Sequence, residues 1–329
     1  MLTRLARFLN RHATGFMAAS VGVGLLWQQL AAWLAPWVLH ASMATIFISA
    51  IRLDERLLVR WMARPAVPVL IVVWTTIALP AVALLISTTV PMPQSAAQAL
   101  VLIAATAPII SVGTYCLLLG TDTELLSLAV LPATALSVLT APMYAAAMGL
   151  PGLDPKSMAW TLLVVVGVSL GGAGALRIWV PLAQVRRVSP ILDVVMLLMV
   201  AVVAIGVTDG LRAVLRDAQE LLLYAALVAL TINVLQQAIT AGLFACWLPA
   251  RVAASVALVA GFRNMALLLG LTLGRVDRET QLILVAGQLM LFLLPWPMRR
   301  IYARFGVTAE PTGPSGPIPS THPEGKSSP

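Results

Sequence analysis

Apolar residues in this chain run on for the length of a bilayer-spanning helix, stop at a short polar connection, and start again. Ten such runs predict ten spans, at 14–34, 36–52, 66–87, 96–119, 125–148, 157–178, 190–208, 221–247, 252–273 and 280–298. A helix crosses the hydrocarbon core with about 20 predominantly apolar residues. The expected fold class is therefore an all-α polytopic membrane protein. The apolar stretch after MLTRLARFLNRHATGF is too long for a cleavable signal core, so residues 1–13 are expected as a cytoplasmic segment ahead of the first span. At the other end, TAEPTGPSGPIPSTHPEGKSSP is rich in Pro, Gly and Ser and has no apolar period. Residues 301–329 are expected as a cytoplasmic tail, disordered from about residue 308, leaving 14–300 as one ten-helix domain.

Ten spans divide into five plus five, and the fourth helix of each half is interrupted. In the first half it reads LIAATAPIISVGTYCLLLG, with Pro108 and Gly113 near mid-span. In the second half it reads ALVAGFRNMALLLG, with Gly261, Phe262, Arg263 and Asn264 at the same depth. An odd number of helices per half makes the halves opposite in topology. Paired Gly/Pro interruptions in inverted halves point to a central binding site. Broken backbone at that depth is tolerated where it is buried in protein or lines a wet cavity. Either break alone reads more simply as a kink or a packing contact; the two at matching positions favour a site. They are expected to approach each other.

Arg263 is the most informative residue. A central arginine costs about 2.5–3.5 kcal/mol on insertion scales and normally faces a cavity or a partner. One reading is an internal salt bridge, for which Asp193, Asp209, Asp122 and Glu124 are the candidates flanking nearby spans. The other is a visiting anion, since guanidinium matches a carboxylate with two parallel hydrogen bonds. Asn264 either bonds a neighbouring backbone group or serves the site. Thr75, Ser111, Thr114, Ser127 and Thr134 are further mid-span polar groups placed near the crossing, and Gln236 and Gln237 pose the same choice. Ser and Thr are common glue between membrane helices. His40 reads as interfacial.

Composition supports the setting. Hydrophobic residues make up 60% of the chain and charged residues 10%, with mean hydropathy +0.94, too little charge to cover a soluble surface. The net charge of +8 comes from arginines spread through the connections, a pattern that orients a membrane protein rather than one that binds nucleic acid. Arg52, Arg56, Arg60, Arg64, Arg177, Arg186, Arg187, Arg251, Arg299, Arg300 and Arg304 fall on one side. Lys156, Arg212, Arg216, Arg275 and Arg278 fall on the other, with a short interfacial helix expected in DGLRAVLRDAQE. The excess places both termini in the cytoplasm, and the membrane is expected to be a bacterial inner membrane. Cys116 and Cys246 lie in apolar spans and suggest no disulfide or metal site. No P-loop, HExxH or GxSxG with a plausible triad occurs, so no enzyme is expected.

These motifs resemble the bile acid:sodium symporter family, over roughly residues 36–300. ASMATIFISAIRLDERLLVRWMARP is similar to its second helix and basic loop, and WTTIALPAVALLIS to its third helix with a central proline. ATAPIISVGTYCLLLGTDTELLSLAVLPATALSVLTAP resembles the broken fourth helix and the fifth, and GFRNMAL the second break. The resemblance implies two inverted five-helix repeats. It also implies a panel domain of the first, second, sixth and seventh helices, and a core domain with two broken crossing helices. Its functional implication is alternating access for organic anions, usually driven by sodium. The sodium-binding carboxylate falls at Val259, a glutamine at Arg263, a Ser-Asn pair at Gly113 and Thr114, a third-helix glutamine at Thr75 and a fifth-helix threonine at Leu131. Ser127 and Asn264 match. Charge that would hold sodium is gone and a cation has been added, so Arg263 reads as taking the electrostatic place of bound sodium.

The expected function is a secondary carrier for a small or amphipathic organic anion, in a lipid bilayer, with no cofactor, no nucleic acid and no known protein partner. Sodium coupling is what the resemblance implies, and the sodium ligands are largely replaced. The site residues expected are Thr75, Pro108, Ser111, Gly113, Thr114, Ser127, Gly261, Phe262, Arg263 and Asn264. The alternative is a non-transporting membrane sensor or binding subunit that keeps the fold.

Overall fold

In the computed structural model, residues 13–54, 65–109, 123–150, 152–294 and 298 are described. They are mostly helical, with no strand among them. Six stretches are long and apolar enough to cross a membrane: Gln28–Ile51, Ala66–Thr89, Ala129–Ala147, Pro155–Trp179, Ser189–Asp217 and Gln219–Ala245. This is the make-up of an integral membrane protein. The expected segments 1–13 and 301–329 lie almost wholly outside the described residues.

The first two spans differ from expectation. Helix α1 (Ala13–Leu26) ends at Trp27, whose φ of −114° and ψ of 76° are not helical. Helix α2 (Gln28–Leu34) then continues through a 3-10 turn, Ala35–Trp37, into α3 (Val38–Ile51). The expected spans were 14–34 and 36–52, with the break at Ala35. Instead Pro36 sits in the opening turn of the 3-10 segment, where its missing N–H removes no helical bond. Gln28 fixes the real break, its Nε2 donating to Gly24 O at 2.8 Å and Thr208 O at 3.3 Å.

The third apolar run is α4 (Ala66–Val73), a π-helical turn Trp74–Ala78, and α5 (Leu79–Thr89). After α6 (Gln94–Ala105) the chain leaves helical geometry, Thr106 taking φ −68° and ψ 148°. Ala107 precedes Pro108, and a residue before proline is pushed toward extended backbone. Helix α7 (Thr123–Ala147) is followed by α8 (Pro155–Trp179), α9 (Leu182–Arg187) and α10 (Ser189–Gly206). The expected short helix in DGLRAVLRDAQE is α11 (Leu211–Asp217), begun by Gly210 at φ +72°, a conformation that glycine adopts freely. Helix α12 (Gln219–Ala245) leads to α13 (Ala250–Gly261), α14 (Met265–Thr272) and α15 (Arg278–Leu293).

Burial separates two kinds of helix. Every residue of α6 from Ser95 to Ala105 is buried, as is α13 from Ser255 to Gly261. A helix apolar on all sides belongs inside other helices. At 12 residues each, about 18 Å, both are too short to cross the hydrocarbon core alone. Helices α8, α10 and α12 instead expose large apolar side chains such as Trp160, Leu198 and Leu227. Helix α3 packs against α8 and α10, while α12 packs against α13 and α15, and α6 against α5 and α15.

Connections are closed by local chemistry. Asp154 caps α8 by accepting from Ser157 N at 2.9 Å. Asp277 caps α15, taking Thr280 N at 2.9 Å and Thr280 Oγ1 at 2.6 Å. Burial pushes the Asp277 carboxyl up, but the hydrogen bonds from Thr280 and from the backbone of Asp277 and Glu279 together hold the group below its ordinary value. Arg52 Nη1 meets Asp193 Oδ1 at 2.7 Å, tying the end of α3 to α10.

Candidate functional site: the crossing of two broken helices

The two interruptions meet. Ile109 N donates to Phe262 O at 2.8 Å and Asn264 N donates to Ala107 O at 2.7 Å, framing an antiparallel bridge between Pro108 and Arg263. The reason is local. Buried N–H and C=O groups released where helices end must be satisfied, and each break supplies what the other lacks. Pro108 has no N–H, so the pairing uses its neighbours on either side.

Arg263 is fully buried at this crossing. Its Nε donates to Ala260 O at 2.8 Å. Its Nη1 donates to Thr75 O at 3.1 Å and to Thr106 O at 3.2 Å. Two of these carbonyls stand at the C-terminal ends of α13 and α6, where the helix dipole favours a cation. The third is free for a covalent reason. In the π-helical turn Leu79 N bonds Trp74 O, and the next residue that could reach Thr75 O is Pro80, which has no N–H. The proline that marks this helix in the sequence thus leaves a carbonyl for the guanidinium. The Thr75 hydroxyl turns back on its own helix, to Ile71 O at 2.8 Å, so Thr75 serves the crossing through its backbone.

No carboxylate pairs with Arg263 among the described residues. Asp193, weighed from the sequence as its partner, belongs to Arg52. Nη2 has no partner among the described residues. With Nε and Nη1 held by carbonyls, the two-pronged reception of a carboxylate is not open to Arg263 in this arrangement. What remains is Nη2 and the field of a charge that no described carboxylate neutralises; Asp122 and the side chain of Glu124, also weighed from the sequence, lie outside the described residues.

Asn264 caps α14, its Oδ1 accepting from Leu267 N at 3.2 Å. Gly261 lets α12 close in: a Cβ there would lie 2.5 Å from Gln237 Cγ and 2.6 Å from Gln237 Nε2. Gln237 Nε2 donates to Asn233 Oδ1 at 2.5 Å, and Asn233 Nδ2 donates to Gly261 O at 2.8 Å. Asn233, Gln236, Gln237 and Thr240 are all buried and share one face of α12 at spacings of three and four. Gln236 and Gln237 were weighed from the sequence; Asn233 was missed, though the spacing was visible.

Beside the crossing lies a cavity of about 40 Å³, lined by Ser42, Thr45, Ile109, Asn264 and Gln288, with Val200, Val203, Ala266 and Phe292. It separates α3 and α10 from the crossing and α15. Ser42 Oγ and Gln288 Oε1 are buried without partners among the described residues. Neither stood out in the sequence, where one serine in an apolar run and one glutamine in another carry no pattern. Of the expected site residues, Thr75, Pro108, Gly261, Phe262, Arg263 and Asn264 come together here. Ser111, Gly113 and Thr114 lie outside the described residues, as does the side chain of Ser127. Thr134 bonds Val130 O within its own helix, and His40 is exposed against Trp37. No protein-family model and no curated protein sequence matches the chain at a significant level.

Proposed function

We propose that this chain is a secondary transporter that moves an organic anion across the membrane by alternating access, without needing sodium. The observation that carries the reading is the hydrogen-bonded crossing of two helix breaks around a buried Arg263 that no described carboxylate neutralises. In secondary transporters, unwound carbonyls and the C-terminal ends of half-helices coordinate the coupling cation, while half-helix N-termini face anionic groups. Here Ala260 O, Thr75 O and Thr106 O supply such a set of oxygens, and the guanidinium occupies it. The N-terminus of α14, at Asn264 and Ala266, faces the polar cavity.

Charge selection follows from the dielectric. A positive charge in a low-dielectric interior is screened far less than one in water, and a substrate anion beside Asn264 is drawn by it without contacting the guanidinium. At about 40 Å³ the cavity has room for water only, whereas small-molecule pockets measure about 300–1,000 Å³. Substrate entry therefore requires α3 and α10 to move away from the crossing. The bile acid:sodium symporter resemblance, the inverted five-helix repeats, the cytoplasmic termini and the bacterial inner membrane belong to the same proposal.

Flux separates this from a sensor that binds and does not transport. Purified protein in liposomes is expected to give saturable uptake of at least one radiolabelled organic anion among taurocholate, pyruvate and lactate, beyond protein-free vesicles. Ligand-induced thermal stabilisation by one of these anions with no uptake of any would favour the sensor.

A further inference from the structure

An apolar groove of about 280 Å³ opens between the start of α4 and the end of α12. Its walls include Leu70, Trp74, Leu243, Phe244, Trp247 and Leu248. Trp247 is 78% exposed and Leu70 and Leu243 are each 43% exposed. The single polar atom of Trp74 is turned away, its Nε1 donating to Thr240 Oγ1 at 2.9 Å. The groove floor is continuous with a buried cluster in which Val67, Trp74, Leu248 and Val252 pack on Ile71, Phe244 and Ala253.

Just past the groove in sequence the chemistry changes sharply. Three residues past Leu248 stands Arg251, exposed, in the first turn of α13. A cation there opposes the helix dipole. The helix has no acidic residue in that turn, and Pro249 gives it no side-chain cap. Arg251 has no ion-pair partner among the described residues. An anionic group at this point would meet the guanidinium and the uncapped backbone N–H groups together, the arrangement that binds phosphate at helix N-termini. A cation at the start of a helix whose next residues, Val252 and Ala253, pack into the groove's cluster, and an apolar channel beside that start, match one kind of molecule.

We infer that the groove is a binding site for an anionic phospholipid, one acyl chain lying along Trp74, Leu243 and Trp247 and the headgroup phosphate at Arg251. The site reaches the crossing. Trp74 begins the π-helical turn, and the next residue, Thr75, holds Arg263 through its carbonyl. A lipid chain packed on Trp74 braces the turn that positions that carbonyl.

The test uses the full chain in detergent, with phosphatidylglycerol or phosphatidylcholine of identical acyl chains added before thermal unfolding. Saturating phosphatidylglycerol is expected to raise the melting temperature by about 5–10 °C, and phosphatidylcholine by clearly less. Arg251→Gln, at an exposed position, is expected to remove the difference between the lipids. Leu243→Trp, which fills the groove, is expected to abolish stabilisation by both; if that variant fails to fold, the Arg251→Gln comparison decides. Equal stabilisation by the two lipids, or a difference that persists in Arg251→Gln, overturns the proposal. So does native mass spectrometry that shows a lipid-free dimer lost in Leu243→Trp, since the groove would then seat a second copy. None of these readouts involves transport, so their failure leaves the transport reading standing.

Discussion

Replacing Arg263 by Met is expected to destabilise the purified protein by about 3 kcal/mol or more. Three buried carbonyls, of Ala260, Thr75 and Thr106, lose their donors in one step, and an unsatisfied buried acceptor costs about 1–3 kcal/mol. While the π turn holds Leu79 N on Trp74 O, Thr75 O finds no helical partner, because Pro80 stands where its donor would be. Thermal unfolding in detergent would register a fall of roughly 5 °C or more. Arg263→Lys is expected to fall between Met and the native residue. An ammonium keeps the charge and offers three donors, but not from the positions the planar fork occupies. A Met variant that melts with the native protein would show that the guanidinium does not hold the crossing together.

Gly261→Val is expected to destabilise by roughly 3 kcal/mol, the upper end for overpacking combined with a strained buried hydrogen bond. A Cβ at this position meets Gln237 at 2.5 Å. Gln237 has little room to give, since it is buried and tied through Asn233 to the carbonyl of Gly261 itself. Gly171 is the control: nothing lies within 4 Å of a Cβ there, and Gly171→Ala should be neutral or mildly stabilising. Adding Gln237→Ala to Gly261→Val should recover about 1–2 kcal/mol, measured as the coupling in a double-mutant cycle of melting curves. Additive losses would mean that the two side chains do not compete for the same space.

Much of this arrangement was legible before any coordinates. The two breaks could be found because Pro108 and Gly261 interrupt otherwise continuous apolar runs, and because a charge in the second run needed an explanation. Their mutual approach followed from placing them at matching positions. The partners of Arg263 were not legible. They are backbone carbonyls, and no side-chain pattern announces a carbonyl. The nearest signal was Pro80, whose missing N–H frees Thr75 O, and reading it required knowing that the helix takes a π turn there. The helix boundary expected between Leu34 and Pro36 falls instead at Trp27, and Pro36 opens a 3-10 turn within a continuing helical stretch. Ser42 and Gln288 illustrate a further limit: their unpartnered atoms become visible only when α3 and α15 are brought to one cavity.

If the guanidinium of Arg263 fills the place of a coupling cation, transport should not need one from solution. The most direct measurement is the initial rate of organic-anion uptake into proteoliposomes with an inward sodium gradient, and with sodium replaced by potassium or choline at equal ionic strength. The predicted result is the same rate in all three. A steep, saturable dependence on sodium would contradict the account, and would mean that this chain assembles a sodium site from other oxygens while Arg263 stands in its fully buried cage of three carbonyls.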